Sequence, residues 1–203
     1  MLRLVKNEPV CQDQKRDVGL VFLNACVGRQ VRQGPFGGST KRNAEVKDRI
    51  VTERLTQTLR IFEDPKEDID HILIVGERGA PKYRSLVLRE KLIASGVPPE
   101  KIIACGEAEN TPKATRLFLH AAVIQYGGRS LHVRIAMHQY WSGRVAYFLQ
   151  SYRNYHWDEI PYIITYESHP MGGYEPNIWE RMREIRRCDR RNRKYDFTRI
   201  INK

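Results

Sequence analysis

His138, Tyr140, Trp141 and Arg144 lie within seven residues of one another, just past an apolar run, LHVRIA at Leu131 to Ala136. A histidine that titrates near neutrality can carry a proton, and aromatic rings can stack on a planar group. An arginine can grip a phosphate or carboxylate through two parallel hydrogen bonds. The same aromatic residues could equally cap a core. Arg144 carries more information, because a cation in the first turn of a helix opposes the macrodipole by roughly 0.3 to 1 kcal/mol unless something offsets it. Arg84 stands in the same position near another helix start. With Arg29 and Arg78, these arginines either converge on one anion or stand solvated at the surface.

A second group is Glu109, Asn110 and Thr111, followed by Pro112. Thr111-Pro112 reads as a capping hydroxyl with proline at the first helical position, and free N–H groups at such a helix start make an anion site. A plain helix cap is the simpler alternative. Further along, GPFGGSTKR at Gly34 to Arg42 invites comparison with a phosphate-binding loop, but it lacks the G-x-x-x-x-G-K-[ST] spacing. It belongs to a long connection between Asn24 and Ala44, of the length expected for a lid or binding loop. No G-x-G-x-x-G follows the first strand and no G-x-S-x-G occurs, which argues against a nicotinamide dehydrogenase and a lipase-type hydrolase. His156, Glu167 and His169 do not form a spaced ligand set, so no tightly held metal is expected.

Five short β-type runs must position these residues: VGLVFLN (Val18 to Asn24), HILIVG (His71 to Gly76), KIIAC (Lys101 to Cys105), LHVRIA (Leu131 to Ala136) and PYIIT (Pro161 to Thr165). Helical patterns lie between them. Ala44 to Phe62 carries Val46, Ile50, Val51, Leu55, Leu59 and Phe62 at helical spacing, and Asp64-Pro65 stops it. Tyr83 to Ala94 ends at Gly96-Val97-Pro98. A third helix runs from Thr111 towards Gly127, a fourth from near Ser142 buries Val145, Ala146, Phe148 and Leu149, and a fifth covers about Asn177 to Arg191. The alternation predicts an α/β fold, a Rossmann-like three-layer αβα sandwich with a mostly parallel sheet of about five strands. Ligands in such folds bind beyond the carboxyl ends of the strands, which singles out the segments opening at Asn24, Gly76, Gly106, Met137 and Tyr166.

Length and composition agree. The chain has 203 residues, 41% of them apolar and 29% charged, enough for one real core. The expected organisation is an N-terminal extension at 1–17, the α/β domain at 18–176, and a basic helix and tail at 177–203. No apolar run reaches the roughly 18 to 20 residues of a membrane span and the first residues lack a secretory pattern, so a cytoplasmic protein without a transmembrane segment is expected. Cys11, Cys26, Cys105 and Cys188 stand far apart and read as reduced, mostly buried thiols.

The net charge of +11 is concentrated: residues 29–49 contribute +4 and residues 177–203 contribute +6, whereas residues 50–176 are neutral. Clustered cations can neutralise nucleic-acid phosphates, which makes a nucleic-acid or acidic-partner binding protein the alternative reading. Against it, Ile178, Met182 and Ile185 make the tail an amphipathic helix whose exposed face is arginine-rich.

From Val18 to Thr165 the chain resembles the YdcF/SanA/ElyC-like family. The resemblance rests on Arg54-Leu55 through Ile61-Phe62, HILIVGERG, LIASGVP at Leu92 to Pro98, Glu109-Asn110-Thr111 in place of the family's S-x-N-T, and YWSGRVA at Tyr140 to Ala146. Trp141 stands where the family has histidine, and Arg84 where it has glutamate; Asn110, Thr111 and Arg144 are retained. The resemblance implies a Rossmann-like fold with a polar ligand site and a general link to the bacterial cell envelope.

Together these readings lead to one expectation. A small anionic or nucleotide-like ligand, with S-adenosylmethionine or a nucleotide as candidates, is held at the carboxyl edge by Asn24, Arg29, Gly76, Arg78, Arg84, Glu109, Asn110, Thr111, Tyr140, Trp141 and Arg144. Should turnover occur, His138 is the expected proton carrier.

Overall fold

The computed structural model describes residues 17–27, 40–127, 129–138, 145, 148–149 and 164–171. Strand β1 (Val18–Asn24) is apolar throughout its first six residues, and every residue is buried, as a strand covered on both faces requires. Helix α1 (Thr40–Glu63) returns the chain to β2 (His71–Glu77). A 3-10 turn (Pro81–Tyr83) leads into α2 (Ser85–Ala94), and a second (Pro99–Lys101) into β3 (Ile102–Ala108). Helix α3 (Thr111–Tyr126), β4 (Leu131–His138) and β5 (Ile164–Met171) complete the described elements.

All four strand pairings are parallel, in the order β3-β2-β1-β4-β5. The fold is therefore α/β and Rossmann-like. From β1 the sheet grows outward through β2 and β3, then reverses past β1 to β4 and β5. Two apolar clusters fill the two faces. On one, Val21, Leu23, Ile72 and Ile74 meet Ile50, Val51, Leu88 and Leu92 of α1 and α2. On the other, Leu20, Phe22, Leu73 and Val133 meet Ala114, Phe118 and Leu119 of α3, with Val145 and Leu149 alongside. Phe22 and Phe118 stack with ring centroids 4.3 Å apart, tying the central strand to α3. Val145, Phe148 and Leu149 are helical and buried, which is what the fourth helix was expected to supply.

Close backbone approaches fix the layers. A Cβ at Gly19 would stand 1.7 Å from the carbonyl oxygen of Asp68, so the loop before β2 lies directly on the start of β1. The Gly19 amide donates to Asp70 Oδ2 at 2.9 Å, and the Asp70 amide donates to the Gly19 carbonyl at 2.8 Å. At Gly76 a Cβ would meet the Ser85 nitrogen at 2.3 Å, so glycine here lets the start of α2 dock on β2.

Several expected boundaries move. Helix α1 begins at Thr40 rather than Ala44, because the polar Lys and Arg residues before Ala44 are themselves good helix formers. Its buried face is Ile50, Val51, Arg54, Thr58 and Ile61, while Leu55, Leu59 and Phe62 pack at its margin. Strands β3 and β4 run to Ala108 and His138, so Glu107 and His138 are strand residues. Strand β5 is described as Ile164–Met171, so the expected strand at Pro161 to Thr165 is met at Ile164 and Thr165, its first three residues lying outside the described ones, and β5 runs on to Met171 because main-chain pairing with β4 tolerates the polar sequence TYES. The fifth helix, the extension and the basic tail lie outside the described residues.

Candidate functional site

Strand order reverses at β1, so the carboxyl ends of β1 and β4 flank the crevice where such folds take ligands. The register pairs Phe22 with Ile135, which brings Asn24 and His138 to the same edge. Asn24 is wholly buried. Its Oδ1 accepts from the Cys26 amide at 2.8 Å, a local turn in which the side chain replaces a backbone acceptor. Its Nδ2 has no hydrogen-bond partner among the described residues, and a buried donor left unmet costs about 1 to 3 kcal/mol.

Behind Asn24 stands Arg54, also wholly buried, donating from Nη1 to the Asn24 carbonyl at 2.5 Å. Burial pulls its guanidinium down to about 10, with Cys26 and Glu77 acting the other way, so it stays charged at neutral pH. Glu77, the last residue of β2, is 7% exposed and forms an ion pair with Lys47 of α1 at 2.6 Å. Its other oxygen accepts from the Val27 amide at 3.4 Å. The Cys26 thiol donates to the Ala108 carbonyl at 3.4 Å, closing the space between the ends of β1 and β3.

The arginines do not behave alike. Arg78 is exposed and donates to Glu109 at 2.7 Å, and Lys113 bonds the same carboxylate. Lys113 and then Arg78 hold the Glu109 carboxyl down to about 2. Arg84 occupies the N-cap position of α2 with no side-chain cap bond, is exposed, and makes no ion pair among the described residues. A bare cation there opposes the dipole of α2.

At α3 the cap is Asn110, whose Oδ1 accepts from the Lys113 amide at 3.0 Å; the expected Thr111 cap is displaced by one residue because the extended Asn110 places its side-chain oxygen within reach of the third helical amide. Thr111 is then the first helical residue and buried, and Pro112 contributes no N–H. Gly76 serves the docking of α2, and Ser85 Oγ, beside Arg84, bonds Glu107 at 3.1 Å.

The site thus assembles Asn24, Gly76, Arg78, Arg84, Glu109, Asn110 and Thr111 on the carboxyl ends of β1 to β3 and the following turns, with His138 ending β4. Arg29, Tyr140, Trp141 and Arg144 lie outside the described residues, as does the His138 side chain. Sequence reasoning missed Lys47, Arg54 and Glu77 as parts of this edge. Among the described residues no group of three His, Cys, Asp or Glu could hold a metal ion, and no helix is long and apolar enough to cross a membrane. Cys26 is a buried cysteine, and Cys105 a half-buried one whose thiol burial pushes up to about 12. Compared with family models, curated proteins and solved structures, the chain matches none.

Proposed function

We propose that the protein binds a small ligand bearing an anionic group, nucleotide-like in size and polarity, across the carboxyl ends of β1 and β4. The observation that carries this reading is the reversal of strand order beside Asn24, whose side chain is wholly buried yet keeps one donor without a partner among the described residues. Wound sheets open a crevice at such reversals, and a buried unmet donor there is met when a ligand brings an acceptor. Arg84 supports the anionic half, since a cation at the start of α2 with no ion pair among the described residues gains most from a bound anion. The resemblance to the YdcF/SanA/ElyC-like family points to the same edge through Asn110, Thr111 and Arg144. His138 is the group to which we assign any proton transfer, with Tyr140 or Trp141 stacking on a planar part of the ligand.

A thermal-shift panel of nucleotides, S-adenosylmethionine and sugar phosphates tests the reading. A compound at about 100 times its dissociation constant stabilises the native state by about 2.7 kcal/mol, which raises Tm by about 5 to 10 °C for a chain of this size. Arg144→Ala is expected to lose most of that shift. A panel with no active compound, or a variant that responds as the native protein does, removes the proposal.

A further inference from the structure

We infer that β3 is an interface with a second copy of this chain: the two β3 strands pair antiparallel about a two-fold axis near Ala104, joining the sheets and packing α2 and α3 against their counterparts. Strand β3 is the outermost of its sheet, and nothing among the described residues pairs with its outer side. An edge left open offers unpaired N–H and C=O groups to another strand. Ile103, Ala104 and Cys105 are only half-buried there. The large apolar side chains exposed among the described residues, Leu86, Val87 and Ile124, belong to α2 and α3, the two helices that lie over β2 and β3.

Side-chain direction shows which of these residues border the open edge. The Lys91 charge acts on Asp48 of α1, so that flank of α2 faces back along the sheet. Arg89, on the other flank, donates to the Pro99 carbonyl just before β3 at 3.4 Å. Leu86 and Ile93 stand three residues before and four after Arg89, on the same flank. On α3, Leu117 Cδ1 lies 4.0 Å from where a Cβ of Gly106 would stand, and Ala121 and Ile124 continue that stripe four and seven residues on. Leu86, 64% exposed, and Ile124, 72% exposed, therefore border β3 from its two faces.

Self-complementarity points to a second copy as the occupant. Ser85 bonds Glu107, and Ala104 and Glu107 oppose Ile74 and Gly76, two strand steps apart. Helix α2 runs back against the strands at about 1.5 Å per residue, against about 3.3 Å per strand step, so the Arg89–Glu90 peptide stands level with Ala104. By the same measure Leu117, level with Gly106, stands just above Ala104 and Ala121 just below. A two-fold axis through Ala104, perpendicular to the sheet, then sets Arg89 opposite Glu90 of the second copy and Leu86 opposite its Ile93, each twice. On the other face Leu117 meets Ala121. With strands about 4.8 Å apart, helices lying over β2 and β3 come about 10 Å from their counterparts, the ordinary packing distance. A strand from an unrelated protein brings no matching helices. The bulge between Ala104 and Glu107 interrupts the outer ladder, so the helices supply most of the contact.

Sedimentation equilibrium of the native chain over about 1 to 200 μM tests this, with an average mass expected to rise towards twice that of one chain. Arg89→Glu sets like charges opposite each other twice and is expected to weaken association about 10-fold or more. Adding Glu90→Arg to it restores opposite charges and is expected to bring the dissociation constant back to within about 3-fold of native. Leu86→Glu combined with Ile124→Glu, both at exposed positions, is expected to keep the native circular dichroism and to stay monomeric throughout. A native chain that is monomeric at every concentration overturns the inference. So does a dimer that the Leu86 and Ile124 substitutions leave intact, which would form through another surface. Loss of the dimer in Arg89→Glu without recovery in the double swap overturns the antiparallel pairing and the inference with it. Where Arg89→Glu does not fold, the Leu86 and Ile124 variant decides.

Discussion

Arg54 Nη1 and the carbonyl oxygen of Asn24 lie 2.5 Å apart, joining a wholly buried guanidinium on α1 to the last residue of the central strand. The bond ties the longest described helix to the point where the sheet reverses, so the position of Asn24 depends on α1.

Arg54→Ala is expected to lower stability by about 3 kcal/mol, because it removes a charge-assisted hydrogen bond from a buried carbonyl and leaves a cavity. Arg54→Met keeps much of the volume and is expected to lose less. Urea unfolding of the three proteins measures both differences; equal stability of Arg54→Ala and the native chain contradicts the tie.

Gly76→Ala places a methyl group 2.3 Å from the Ser85 nitrogen and 2.7 Å from the Tyr83 carbonyl, both of them backbone atoms that cannot rotate away. A loss of about 2 to 4 kcal/mol is expected, of the size seen for overpacked cores. Gly79→Ala has open space around it and a φ of +77°, so its expected loss is only about 1 kcal/mol, from backbone strain alone.

His71 begins β2 at the opposite edge, with Nδ1 buried and without a hydrogen-bond partner among the described residues, and its ring tilted against Tyr126 at 5.6 Å. Burial, and then the Lys101 charge, lower its pKa below the ordinary histidine value of about 6.5, against the opposing pull of Asp70. The unfolded chain then binds more protons than the native one as pH falls below about 6.5, so stability decreases with acidification through that range and levels off below the folded pKa. In a Tm series from pH 7.5 to 5, His71→Phe is expected to flatten the acid limb. An unchanged limb contradicts the assignment.

Asn110→Ala removes the side-chain bond to the Lys113 amide and is expected to cost about 1 kcal/mol. Thr111→Val keeps the cap and is expected to cost less, which urea unfolding distinguishes.

Much of this was legible in the sequence, and the misses have physical causes. Apolar runs such as HILIVG announce themselves because a strand buried on both faces must be apolar throughout. Strand β5 did not, since its backbone pairs with β4 through residues as polar as Glu167 and Ser168, while the more apolar PYIIT drew the assignment a few residues early. Arg54 was hidden by its residue type: arginine within a charged helix is read as solvated. Its spacing held the signal, because position 54 lies three and four residues beyond Val51 and Ile50 and four before Thr58, on the stripe that α1 buries. Glu77 followed an apolar strand by one residue and looked like the first polar residue of a loop. Only the pairing of β1 with β2 places it against the chain after Asn24.

Amide chemical-shift mapping on titration with a compound that raises Tm tests the central claim most directly. The largest changes are expected at residues 24–27, 76–79 and 108–111 and at His138, together with the side-chain NH2 of Asn24. Changes confined to the other edge, at Gly19, His71 and Ile102, contradict a ligand site at the carboxyl ends of the strands.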